Sequence, residues 1–202
     1  MSVRIMIAED QAMVRQALVA LLGLEADIEV VAQAGSGDEA IAMVRKHQPD
    51  VAVLDIEMPG GTGIEVARQL REDGYEGQVV IVTTFGRPGY LRAAMTAGAS
   101  GFLLKDAPAT ELAQAIRRVA KGERVVDPAL AAAALAEGDS PLTGRETDVL
   151  AAAAGHDAIS EIAAGLHLSP GTVRNHLSAA MHKLNARNRA EAVQIAQRKG
   201  WL

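Results

Sequence analysis

VAVLDIEMPG, residues 51–60, is the stretch whose reading decides the fold. The four apolar residues Val51–Leu54 are too few for a helix and lack the alternation of a half-wet strand. They read as a strand buried on both faces, the pattern of a parallel sheet. The run stops at Asp55, and Met58-Pro59-Gly60 turns the chain. The same grammar recurs at Val3–Ala8, followed by Glu9 and Asp10, and at Gly101–Leu104, followed by Lys105. Two more apolar runs, Ile28–Ala32 and Val79–Thr83, bring the count to five. Helical patterns separate and follow them: 11–24, 39–46 behind Ser36-x-x-Glu39, 64–71, 88–97 and 109–121. A (βα)₅ alternation with short connections implies right-handed crossovers and a doubly wound parallel sheet between helices.

Glu9, Asp10, Asp55 and Lys105 each follow a strand, so all four are expected at one edge of the sheet, where open α/β folds bind ligands. Three crowded carboxylates repel one another unless a cation joins them, and Mg²⁺ with retained waters suits an all-oxygen set. Carboxylates, a divalent ion and a lysine together describe a site for a phosphoryl group.

The chain has 202 residues, 49% of them hydrophobic, enough for one large or two small packed domains. It has no cysteine, which excludes disulfides, thiol catalysis and Cys-based zinc sites. Acidic residues follow closely on its first apolar run, and no window approaches about 18 uncharged apolar residues, so neither signal peptide nor membrane insertion is expected and the location reads as cytoplasmic. The net charge of −5 is unevenly spread. Residues 1–140 carry 13 Lys/Arg against 20 Asp/Glu, whereas residues 141–202 carry 7 against 5. An acidic, cation-binding front thus precedes a mildly basic rear.

We expect a first domain over 1–122, a linker over 123–140 that includes an alanine-rich tract and the break Gly138-Asp139-Ser140-Pro141, and a second domain over 141–202. The rear domain reads as helices only. Thr143-x-x-Glu146 opens a helix over 145–154, and others are expected over 159–166, 170–184 and 189–199, the last stopped by Gly200. The third is the most informative. Ser169 can cap it, Pro170 suits its first position, and Leu168 with Val173 can form a hydrophobic staple. Val173, Leu177, Ala180, Met181 and Leu184 recur at helical spacing and pack inward, leaving Arg174, Asn175, Ser178 and His182 on another face. A short helix, a tight turn and a second helix exposing Arg and Asn near its start is the helix-turn-helix arrangement that reads base edges in the major groove.

Glu9–Asp10, Asp55 with Met58-Pro59-Gly60, Thr83, and Phe102 three residues before Lys105 together resemble the receiver domain of two-component response regulators. Leu142-Thr143-x-Arg145-Glu146, Ser169-x-x-Thr172-Val173-x-x-His176, Lys183-Leu184 and Arg189-x-x-Ala192 resemble the LuxR-type helix-turn-helix of the NarL/FixJ subfamily. Within it, Ala8–Gln11, Asp55–Gly60 and Gly171–Asn175 are similar to DesR-type regulators of membrane-lipid desaturation, which implies a role in membrane-lipid control. The resemblance implies a phosphorylation-activated transcriptional regulator and not an enzyme. Asp55 would take a phosphoryl group from a sensor histidine kinase. Glu9, Asp10, Asp55 and the backbone carbonyl of Glu57 would hold Mg²⁺. Lys105 would supply a second cation, Thr83 would bond the phosphoryl group, and Phe102 would switch rotamer, although it lacks the hydroxyl of the tyrosine common there. Arg174 and Asn175 would face bases, Ser178 would lie on the same DNA-binding surface and make fewer charge contacts than the basic residue common there, and Lys183 would meet a phosphate.

Alternative readings exist. Asp55 alone could cap a helix, and Phe102 could be ordinary core. A Mg²⁺-dependent phosphohydrolase with Asp55 as nucleophile is a rival class, but such enzymes place an Asp where this chain has Glu57. An atypical receiver that answers a ligand is a third. A single helix-turn-helix of net charge +2 should bind double-stranded DNA weakly, so paired half-sites and homodimerisation on phosphorylation are expected. Val14, Leu18 and Leu21, with Leu112, Ile116 and Val119, offer apolar stripes for that contact, unless both stripes face the sheet.

Overall fold

The computed structural model describes residues 2–84, 86, 88–136, 140–155 and 158–202. Two residues of the expected interdomain break, Gly138 and Asp139, lie outside the described residues. The chain gathers into two compact units, Met1–Gly86 with Ala93–Ala131, and Arg87–Arg92 with Ala132–Leu202.

From the first residues of the chain, elements alternate as β1 (Val3–Ala8), α1 (Ala12–Leu22), β2 (Ile28–Ala34), α2 (Gly37–His47), β3 (Val51–Leu54), α3 (Gly63–Glu72), β4 (Gln78–Thr83), α4 (Pro88–Thr96), β5 (Gly101–Leu104), α5 (Ala109–Ala120) and β6 (Val125–Val126), all in the first unit except the opening part of α4, which groups with the second. The sheet is wholly parallel, in the order β2-β1-β3-β4-β5-β6. The sixth strand was not expected. Val125 and Val126 sit between charged residues and are too short to show a pattern, yet they pair with Gly101 and Phe102. They lie in the segment 123–140 expected to be linker, as does α6 (Pro128–Ala136), whose residues are almost all Ala and Leu.

β1 and β3 are neighbours, with Ile5 opposite Val51 and Ala8 opposite Leu54, and β2 and β4 lie outside them. The connections therefore reverse direction between β1 and β3, which opens a crevice at their carboxyl ends. Both faces of the sheet are covered. Ile5, Ile7, Val51, Val53, Val80, Val82 and Leu103 pack with Leu22 of α1 and Leu112, Ile116 and Val119 of α5. Those three α5 residues are at most 5% exposed, so the α5 stripe considered for dimerisation belongs to the core. An amphipathic stripe is the same signal whether it covers a sheet or a partner.

The second unit contains α7 (Gly144–Gly155), α8 (Ile159–Gly165), α9 (Pro170–Lys183) and α10 (Arg189–Lys199). Its core joins Val149 and Leu150 of α7, Ile162 of α8, Val173, Leu177 and Ala180 of α9, and Ala192 and Ala196 of α10. Ser169 caps α9 by accepting from Thr172 N, and Gly200 ends α10 in the left-handed region at φ 62°.

Candidate phosphoacceptor site and nucleic-acid interface

Backbone pairing brings the acidic residues together. Asp55 N donates to Ala8 O at 2.9 Å, which ties the end of β3 to the end of β1, and Glu9 N donates to Ala34 O of β2. Lys105 N donates to Thr83 O at 2.8 Å, continuing the pairing of β4 and β5. One carboxylate oxygen each from Glu9, Asp10 and Asp55 lies within 4.8 Å of the others. Glu9 and Asp55 are buried and Asp10 is exposed.

Lys105 Nζ stands 2.5 Å from Glu9 Oε2 and 2.9 Å from Asp55 Oδ2. The other Asp55 oxygen, Oδ1, accepts from Ile56 N at 2.7 Å. Burial pushes the Glu9 carboxyl above its ordinary range, with Asp55 adding to the shift and Lys105 opposing it only in part. Burial alone would lower the Lys105 pKa, but its hydrogen bonds to Glu9 and Asp55 outweigh this and hold it above the usual lysine value. The site thus keeps one ammonium against two buried carboxylates.

The donor set fits a divalent cation. Two oxygens on one Mg²⁺ stand up to about 4.2 Å apart, so this triangle takes the ion after a small adjustment or with a water replacing one direct bond. Glu9 Oε2 is buried and meets Lys105 Nζ, and an ionised carboxylate oxygen paired with one donor still has a lone pair to offer a cation.

The loop after Asp55 depends on close backbone contact. Gly63 N donates to Ile56 O at 3.0 Å, and a Cβ on Gly63 would lie 2.0 Å from Asp55 O. Gly37 N, at the start of α2, donates to Pro59 O at 2.9 Å, and a Cβ there would lie 2.4 Å from Gly61 O. Thr62 and Glu65 form a complete capping box that starts α3. Sequence reasoning missed these residues, although Thr62-x-x-Glu65 shows the box pattern. Ser36 caps α2 as expected, but Glu39 bonds Gly35 N instead of closing its box. Glu57 is exposed, while Thr83 and Phe102 are 1% and 0% exposed on adjacent strands. Arg15 of α1 also bonds the Glu9 carbonyl oxygen, a contact nothing in the sequence marked.

In the second unit, α9 turns Val173, Leu177, Ala180 and Leu184 inward, and Arg174, Asn175, Ser178 and His182 are exposed. Lys183 is elsewhere engaged: its Nζ lies 2.7 Å from Glu146 Oε2. The same Glu146 accepts from Thr143 N at 2.7 Å and donates its own N–H to Thr143 Oγ1, so the expected capping box of α7 is formed.

Residues 5–117 match the response regulator receiver domain, and residues 140–196 match the bacterial regulatory proteins of the luxR family. The chain is a LuxR-type response regulator. It is 47% identical over 200 residues to the uncharacterized transcriptional regulatory protein YvfU of Bacillus subtilis, covering 99% of this chain and 100% of that one. It is also 47% identical to the transcriptional regulatory protein DesR of the same organism, covering 98% of each chain. Among solved structures, the response regulator ChrA of a heme-sensing two-component system superposes with TM-score 0.59 at 34% identity, covering 100% of this chain and 99% of that one. This response regulator is therefore a transcriptional regulator with a receiver and a helix-turn-helix DNA-binding domain. Among the described residues, no helix is long and apolar enough to cross a membrane.

Proposed function

We propose that Asp55 is the phosphoacceptor of this response regulator and that its phosphorylation controls DNA binding. The observation that carries the reading is the convergence of Glu9, Asp10, Asp55 and Lys105 at the β1/β3 crevice, with Lys105 Nζ 2.9 Å from Asp55 Oδ2. An Asp55 carboxylate oxygen attacks the phosphorus of a phosphohistidine on a sensor histidine kinase. The P–O bond forms as the P–N bond breaks, and the imidazole leaves. Lys105 faces the developing charge on the phosphoryl oxygens. Glu9, Asp10, Asp55 and the Glu57 carbonyl would hold Mg²⁺, which would supply further neutralisation of that charge. The Thr83 hydroxyl bonds the phosphoryl group, and Phe102 follows it as the switch. The receiver runs from the start of the chain through β6, which belongs to its sheet, the helix-turn-helix domain spans 141–202, and the protein is cytoplasmic.

Arg174 and Asn175 meet base edges of double-stranded DNA, with Ser178 on the same exposed face, and two copies read paired half-sites. Phosphorylation supports that pairing by homodimerisation. The surface of α1 and the loop after it is the contact we favour, because Met13 and Leu21 of α1 are 84% and 46% exposed and Leu24 of the loop is 82% exposed. Val14 and Leu18, expected on the same stripe, are half-buried. The DesR-like residues suggest membrane-lipid control as the target class, and unchanged desaturation transcripts in a deletion strain would remove it.

Acetyl phosphate with Mg²⁺ tests the chemistry. We expect one stable phosphoryl group per chain, mapped to Asp55 and lost in Asp55→Asn. Many turnovers per chain would favour a phosphohydrolase, and no labelling a ligand-responsive receiver.

A further inference from the structure

Lys183 and Glu146 lie 37 residues apart, one in the last turn of α9 and the other in the first turn of α7. The Glu146 side chain is 7% exposed and the Lys183 side chain 35%. Glu146 is held from two sides, by Thr143 N and by Lys183 Nζ, both at 2.7 Å. The Lys183 ammonium, the first cause, and the Thr143 N–H hold its carboxyl below the usual range, so it stays charged at neutral pH. Lys183 also sits at the carboxyl end of its helix, where the helix dipole favours a cation. A lysine spent on a nearly buried carboxylate is poorly placed to serve a DNA phosphate.

The exposed residues Arg174 and Asn175 are at the opposite end of α9. Nine residues separate Arg174 from Lys183, about 13 Å along the axis. A tilt of about 5° at the Lys183 end would displace Arg174 by about 1 Å, enough to spoil a hydrogen bond confined to about 2.7–3.2 Å. We propose that Lys183 and Glu146 are positioning residues: their ion pair sets the angle at which α9 presents its base-reading end, and Lys183 is not a phosphate contact. The inference rests on DNA binding by the LuxR-type domain and on Arg174 and Asn175 as the reading residues.

The test uses the full chain activated with beryllofluoride, a duplex selected in vitro from a random pool, and a scrambled duplex, over a range of salt concentrations. Circular dichroism first verifies that each variant is folded at the assay temperature. Lys183→Ala should lower the preference for the selected duplex about tenfold, leave scrambled-duplex affinity nearly unchanged, and leave the salt slope as it was. Glu146→Gln should do the same, the double variant should be no worse than either single one, and Lys183→Arg should restore discrimination. A phosphate contact behaves differently: Lys183→Ala would weaken both duplexes alike and reduce the salt slope by about one, with Glu146→Gln harmless. That pattern overturns the proposal, as does a folded Glu146→Gln variant with full discrimination. Loss of discrimination in Arg174→Ala tests the reading residues separately.

Discussion

Replacing Lys105 by Met removes the ammonium that stands against both Glu9 and Asp55 while keeping an apolar stem of similar length. The two carboxylates left behind are 1% and 6% exposed. Deleting one partner of a buried ion pair costs about 3–5 kcal/mol, because the remaining charge is uncompensated. Here the loss has a ceiling, since Glu9 can take up a proton. From the usual 4.5, protonation near neutral pH costs about 1.4 kcal/mol per unit, or about 3.4 kcal/mol in all. We therefore expect the variant to lose about 3 kcal/mol near pH 7 without Mg²⁺. The folded-state pKa of Glu9 is already raised and rises further without Lys105, so the folded variant binds more protons than the unfolded chain. Its deficit against the wild type should shrink as the pH falls from neutral toward 4.5, by at most about 1.4 kcal/mol per unit. Added Mg²⁺ should also recover part of the loss, because it binds only the folded site. Urea unfolding of the receiver, followed by circular dichroism in EDTA across that pH range, makes the measurement. A variant as stable as the wild type at pH 7, or one whose deficit grows on acidification, would refute the reasoning.

Gly63→Ala would place a Cβ 2.0 Å from Asp55 O, so the loop must move by about 1 Å; we expect about 1–3 kcal/mol of destabilisation in thermal unfolding and slower labelling of Asp55 by acetyl phosphate. Arg174→Ala or Asn175→Ala should each cost about 1–3 kcal/mol on a selected duplex and relax preference at about one base position, read by specificity profiling. Leu24→Asp, at an 82% exposed site on the loop after α1, should weaken phosphorylation-dependent association in light scattering while leaving Asp55 labelling unchanged.

Strand ends were the most legible part of this chain. Val51–Leu54 followed by Asp55, and Gly101–Leu104 followed by Lys105, predict both the elements and the edge at which their charges meet, because a parallel strand ends abruptly where polarity begins. Val125–Val126 was not legible, since two residues carry no periodicity and pairing with β5 alone makes them a strand. The need for glycine at 63 was hidden for a related reason: it arises from the approach of the Asp55 carbonyl oxygen, which only folding creates. The α5 stripe misled as a docking candidate because Leu112, Ile116 and Val119 spend their apolar surface on the sheet. The ion pair of Lys183 with Glu146 was not legible either, because Glu146 lies on a different helix, beyond the reach of local spacing.

The central claim is that phosphorylation of Asp55 controls DNA binding by α9. It is tested most directly by titrating a selected duplex with the full-length protein, with and without beryllofluoride, alongside Asp55→Asn. The account predicts that beryllofluoride tightens binding by the wild type, converts it to a dimeric complex, and does nothing to Asp55→Asn. Equal affinity and equal stoichiometry of wild type and variant under both conditions would contradict it.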